Sequence, residues 1–111
     1  MKLPADAAIA REKIVHYLLV RQSRGDKSAF LERAGYTHEN PNVLIASLEA
    51  IRDEGEARWL NENKFGRYFV VEGFLYGPSG VVLQVRTIWM TETLSGVTKL
   101  VTLIPIKAID R

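Results

Sequence analysis

A change of hydrophobic period near Gly66 constrains this chain more than any other feature of its sequence. Before it, apolar side chains recur at helical spacing. Leu44, Leu48 and Ile51 form one stripe with Val43 and Ser47 beside it, and Ile14, Tyr17, Leu18 and Arg21 share another face. After it, apolar and polar residues alternate with period two. The alternation is interrupted at Gly77-Pro78-Ser79-Gly80 and Leu94-Ser95-Gly96, both turn sequences. A period of 3.6 and a period of 2 cannot share one element. The pattern therefore predicts an α+β fold, with N-terminal helices packed on one face of a C-terminal antiparallel β-meander.

The element boundaries follow from local punctuation. A first helix is expected over 8–22, with Asp6 as N-cap and Ser23-Arg24-Gly25 as its stop. A second is expected over 27–34, capped by Asp26 and followed by Gly35 at a left-handed position. Asn40-Pro41 places an N-cap and a first-turn proline before a third helix that stops near Gly55. Asn61 to Gly66 reads as a polar connection, and strands are expected over 67–76, 81–91 and 99–104. The chain of 111 residues has room for one domain, helical over about 1–62 and β over about 63–111. Leu44, Leu48, Ile51, Leu83, Val85 and Leu100 are the expected core.

Composition removes several classes of function. There are no cysteines, hence no disulfide scaffold, thiolate zinc site or cysteine nucleophile. No stretch approaches the roughly 18–20 apolar residues of a membrane span, and the first residues lack the apolar core of a signal peptide. The expected location is cytoplasmic, with no membrane partner. A phosphate-binding loop, a nucleophile elbow and a carboxylate–histidine cluster are all missing, so neither a cofactor nor a metal is expected. Charge is uneven. Residues 1–62 hold nine Lys/Arg against ten Asp/Glu, and residues 63–111 hold six against three. The β half is the basic half, a weak pointer to a polyanion such as RNA.

A set of phrases in a fixed order carries a further reading. They are Leu3-Pro4, Lys27-Ser28-Ala29-Phe30, Gly35-Tyr36, Asn40-Pro41, Gly66-Arg67-Tyr68-Phe69-Val70-Val71, Leu75-Tyr76-Gly77-Pro78-Ser79-Gly80, Val85-Arg86-Thr87-Ile88-Trp89 and Leu100-Val101-Thr102-Leu103-Ile104-Pro105. This order resembles a family of small bacterial domains of unknown function found near toxin–antitoxin-type or mobile-element genes. The layout also resembles the metal-independent RNase toxins of the barnase, EndoU, colicin D and RelE type, whose sheet carries the active site. That resemblance implies RNA as substrate and a cognate antitoxin or toxin as protein partner.

Such cleavage needs a base for the 2′-hydroxyl, an acid for the leaving oxygen and cations for the phosphorane. Only His16 and His38 are present. His38, in the loop before the third helix, is the candidate acid/base group, against an ordinary exposed histidine. Lys27 opens a helix where a cation gains nothing from the dipole. Arg67 starts the first strand, and Arg86 interrupts an apolar one on the face opposite Leu83, Val85, Thr87 and Trp89. With Thr102, the odd polar residue of its strand, Lys27, Arg67 and Arg86 form the expected phosphate site. Each also has a plain surface or strand reading. Glu72 is a lone strand carboxylate that could act as base, and Tyr68 and Trp89 are either base-stacking or core aromatics. Two functions follow: a small RNase-toxin-like domain that cleaves or binds RNA, or a non-catalytic interaction module of antitoxin, immunity or accessory type.

Overall fold

A computed structural model describes residues 1–20 and 27–106. Helix α1 (Arg11–Lys13) runs directly into a π-helical turn, Ile14–Leu18. Helices α2 (Ser28–Glu32) and α3 (Pro41–Glu54) follow, then strands β1 (Ala57–Glu62), β2 (Gly66–Tyr76), β3 (Val82–Glu92) and β4 (Thr98–Pro105). The strands form one sheet in the order β1-β2-β3-β4, each neighbour antiparallel. The predicted α+β arrangement of N-terminal helices and a C-terminal meander is the one adopted, with one strand more than expected.

That extra strand lies inside the segment expected to be helical. β1 buries only Ala57, and its remaining residues are exposed. A strand with both faces wet carries no alternation, which is why the sequence pattern does not reveal it. The N-terminal helix also differs from expectation. It starts at Arg11, because Ala8 is engaged at the edge of β4. The Ala8 amide donates to the Thr98 carbonyl at 2.8 Å, and the Leu100 amide donates to the Ala8 carbonyl at 2.8 Å. Asp6 falls in the preceding turn, and Ala10 precedes the helix without a side-chain cap. The expected helix end at Gln22, its stop at Ser23-Arg24-Gly25 and the Asp26 cap lie outside the described residues.

Gly35 takes the expected left-handed conformation, with φ of +94°. Pro41 opens α3 as expected, but Asn40 does not cap that helix. Its Oδ1 accepts from the Thr37 amide at 2.8 Å, and its Nδ2 donates to the Gly35 carbonyl at 3.0 Å. Asn40 thus fastens the α2–α3 loop to itself. This is the competing local bonding that short polar side chains offer the backbone.

The core lies between the helices and one face of the sheet. Leu44, Leu48 and Ile51 of α3 meet Val71, Leu75, Leu83, Val85, Trp89, Leu100 and Leu103, all of them buried. All six expected core residues are in place. Inside this layer the Trp89 Nε1–H donates to Thr87 Oγ1 at 2.8 Å, and the Thr87 hydroxyl donates to the Val71 carbonyl at 2.8 Å. The relay satisfies two buried polar groups that would otherwise be costly. The β2–β3 turn is docked onto the end of α2, where the Ser79 amide donates to the Ala34 carbonyl at 3.0 Å. Gly77 makes that approach possible, since a Cβ there would lie 2.0 Å from the Ala34 carbonyl oxygen.

Candidate functional site

The sheet face opposite the helices is open, and the strand register decides which side chains share it. Arg86 pairs with Glu72 on one side and with Ile104 on the other, and Ile88 pairs with Thr102. Residues directly opposed in an antiparallel ladder point to the same face. Arg58, Glu72, Arg86, Thr102 and Ile104 therefore belong to the open face, where Arg86 and Thr102 are diagonal neighbours roughly 7–8 Å apart. A bulge in β4, between its pairings with Ile88 and Trp89, returns Leu100 and Leu103 to the core while leaving Thr102 outside.

Tyr17 meets Thr102 at this edge. It belongs to the π-helical turn, whose widened ring is closed by the Leu19 amide donating to the Ile14 carbonyl at 3.0 Å. Single π-turns are rare and recur at functional sites. Lys27, immediately before α2, donates from Nζ to the Tyr17 hydroxyl at 3.3 Å and stands 5.4 Å from the ring centroid. Lys13 lies 5.7 Å from the same centroid on the ring's behalf as a second cation. The hydrogen bond from Lys27 is the main influence that holds the Tyr17 phenol below its ordinary pKa of 10.0. The bond with Thr102 and the charges of Lys27 and Lys13 act in the same direction, against a smaller opposing effect of burial. The Tyr17 phenol thus stands in a cationic setting at the rim of the open sheet.

Glu72 sits on the same open face beside this cluster. Its Oε2 accepts from Arg86 Nε at 2.9 Å and lies 3.4 Å from Arg58 Nη2. All three side chains are substantially exposed, so the ion pairs position the groups more than they stabilise the fold. One carboxylate oxygen is thus shared between Arg86 Nε and Arg58 Nη2.

The residues expected to form one phosphate site divide into groups. Lys27 and Thr102 converge on Tyr17, with Arg86 next to Thr102 on the sheet. His38 is exposed and lines a separate shallow depression with Leu19, Ser28, Glu32, Tyr36, Thr37 and Glu39. Arg67 pairs with Glu62 and Thr91 and lies five positions along β2 from Glu72, about 16 Å by strand rise. Its odd number along a regularly alternating strand also turns it to the other face. Trp89 belongs to the core, whereas Tyr68 is half-buried on the open face. Sequence reading missed Tyr17 as a polar participant, because it sits on the apolar stripe of its helix. The signal was the hydroxyl on that stripe. Arg58 was missed together with β1.

The architecture is an α+β one, a short helical layer on a four-stranded antiparallel meander. The sequence matches the family described as domain of unknown function (DUF6883) over residues 2–107, and the chain belongs to that family. No curated protein matches it. Among solved structures it is similar to a chain of the contact-dependent growth inhibition toxin–immunity protein complex from Klebsiella pneumoniae 342. The TM-score is 0.70 at 17% identity, over 94% of this chain and 97% of that one. At that identity the likeness is one of fold.

Proposed function

We propose that this chain is a toxin-type domain that cleaves RNA with its own side chains at the edge of β4. The observation that carries the reading is the convergence of Lys27 and Thr102 on a Tyr17 hydroxyl whose proton is held less tightly than usual. A phosphodiester laid over Thr102 would meet a base, a cation and a guanidinium together. Tyr17 as phenolate takes the 2′-hydroxyl proton, the 2′-oxygen attacks phosphorus, and the bond to the 5′-oxygen breaks. Lys27 gives that oxygen a proton, leaving a 2′,3′-cyclic phosphate and a 5′-hydroxyl end. Arg86 and Thr102 hold the non-bridging oxygens as charge gathers on them. The similarity of fold to a chain of a toxin–immunity complex supports a partner protein that holds such an activity in check.

A second reading has its own observation. Arg86 is bonded through Nε to Glu72, an ion pair that suits an interaction module of immunity, antitoxin or accessory type. Incubation of the purified protein with total RNA, with the cleaved ends mapped, separates the two. The toxin reading expects cyclic-phosphate ends, and a loss of at least about a hundredfold in rate for Tyr17→Phe or Lys27→Ala. Intact RNA with the folded wild type, together with unimpaired growth of bacteria expressing it, would rule out the toxin reading in favour of the module.

A further inference from the structure

β1 covers only part of its neighbour. It pairs with β2 from Arg67 to Val71, and among the described residues nothing pairs with the same edge of β2 from Glu72 to Tyr76. Alternate residues of that stretch direct amides and carbonyls into the vacated row. The row is empty because the chain reaches β1 from below. α3 ends at Glu54 with Gly55 as its cap, and the strand begins at Ala57, level with Val71. At the other outer edge, Ala8 bridges β4 at Lys99, bonding to Thr98 and Leu100.

The vacated row is the floor of a groove of about 800 Å³ between α3 and β2. Ala46 and Ala50 of α3 face it and are exposed, and their short side chains leave space where a fifth strand would lie. Ile51 is packed under Gly73 so closely that a Cβ there would come within 2.9 Å of it, which keeps α3 at a fixed depth below the strand. Phe74 and Tyr76 rise as an exposed aromatic wall, with ring centroids 6.4 Å apart. Among the described residues that line the groove the charged ones are Glu54 and Glu72, and Glu72 is already bonded to Arg86 and lies 3.4 Å from Arg58, so Glu54 is the carboxylate left for a ligand. Lys2 bonds the carbonyl of Glu54 and not its carboxylate. A polyanion finds no lysine or arginine among the described lining residues, whereas a basic extended peptide finds a row of backbone groups and the Glu54 carboxylate.

We propose that the β2 edge from Glu72 to Tyr76 accepts an extended, lysine- or arginine-bearing segment of a partner protein as an added strand in line with β1. Main-chain bonds would supply affinity, small apolar side chains would settle on Ala46 and Ala50, and a basic one would reach Glu54. This inference does not depend on the RNA reading. The probe is a hexapeptide of alternating lysine and valine, followed by amide chemical shifts on the full chain. The shifts should move for residues 72–76 and for Ala46 and Ala50, with saturation below about 1 mM. Glu54→Lys should weaken binding several-fold, as should Ala50→Trp, which fills the floor at an exposed position. Tyr17→Phe should bind as wild type does, separating this site from the RNA site. N-methylation of alternate peptide amides, or glutamate in place of lysine, should abolish binding. No shifts at 1 mM, equal binding of the glutamate or N-methylated peptide, oligouridylate moving the same amides, or an undiminished Glu54→Lys affinity would each overturn the proposal.

Discussion

Tyr17 illustrates how one side chain can serve two layers. Its ring packs against the core from the π-helical turn, while its hydroxyl reaches Lys27 and Thr102 at the sheet edge. Because the Lys27 bond is the largest influence on the phenol, Lys27→Met should raise the Tyr17 pKa toward 10.0. Ultraviolet titration read against Tyr17→Phe should show that rise, and an unmoved phenol would show that Lys27 does not set it. A second residue-scale expectation concerns Glu92. Hydrogen bonds from Lys99 at 2.9 Å and from Ser95 at 2.8 Å lower its carboxyl below the ordinary 4.5. The folded state therefore binds this proton less tightly than the unfolded state. The stability it contributes is present above about pH 4.5 and disappears as pH falls through the depressed folded value. Urea midpoints of wild type and Lys99→Gln should differ slightly at pH 7 and converge in acid. A gap that widens in acid would contradict the sign.

Elements here are fixed by how they seat on one another. α3 carries a buried stripe of Leu44, Leu48 and Ile51, so Leu48→Ala should cost roughly 2–5 kcal/mol, the range for buried leucines. A chemical-denaturation loss below about 0.5 kcal/mol would be that of a surface position and would contradict the stripe. The β2–β3 turn depends instead on absence of a side chain. At Gly77 even a methyl group would collide with Ala34, 2.0 Å from its carbonyl oxygen and 2.4 Å from its Cβ. Gly77→Ala should therefore destabilise by about 1–3 kcal/mol, as overpacking does. Gly80→Ala, with nothing within 4 Å of the added Cβ, meets only the penalty of its φ of +92°. Thermal melts of the two variants separate the steric cost from the conformational one. The stripe and the turn were both legible in the sequence, the first by period and the second by its Gly-Pro-Ser-Gly composition. What docks on the turn was not, because no local signal records a contact with Ala34.

At the scale of the whole molecule, the open sheet face, its edge and the α3 groove offer different chemistries to different partners. Lys13 and Lys27 gather at Tyr17, Arg58 and Arg86 share Glu72 on the open face, and Glu54 lines the groove where β2 lies uncovered. The proposed RNA reading expects binding at the first that weakens steeply with salt, in proportion to the phosphates neutralised. Fluorescence anisotropy with a single-stranded RNA should show that dependence for wild type and weaker binding for Arg86→Ala. Equal binding by the variant would remove Arg86 from the site. No described helix is long and apolar enough to cross a membrane.

The sequence by itself determined the order of helices and strands, the inward stripe of α3, the buried face of β3 and the left-handed Gly35. Each is written in a local period or a local conformational preference, which a chain carries without reference to its neighbours. Tertiary structure alone decided the rest. β1 exists because β2 offers it an edge, since its own residues bury almost nothing. Lys27, Thr102 and Tyr17 meet because a bulge in β4 turns one threonine outward and the N-terminal segment is pinned along that strand at Ala8. Arg67 and Arg86, alike in sequence terms, are parted by strand parity and by register. Pairing partners and faces depend on contacts between residues distant in the chain, and no short stretch of sequence encodes those.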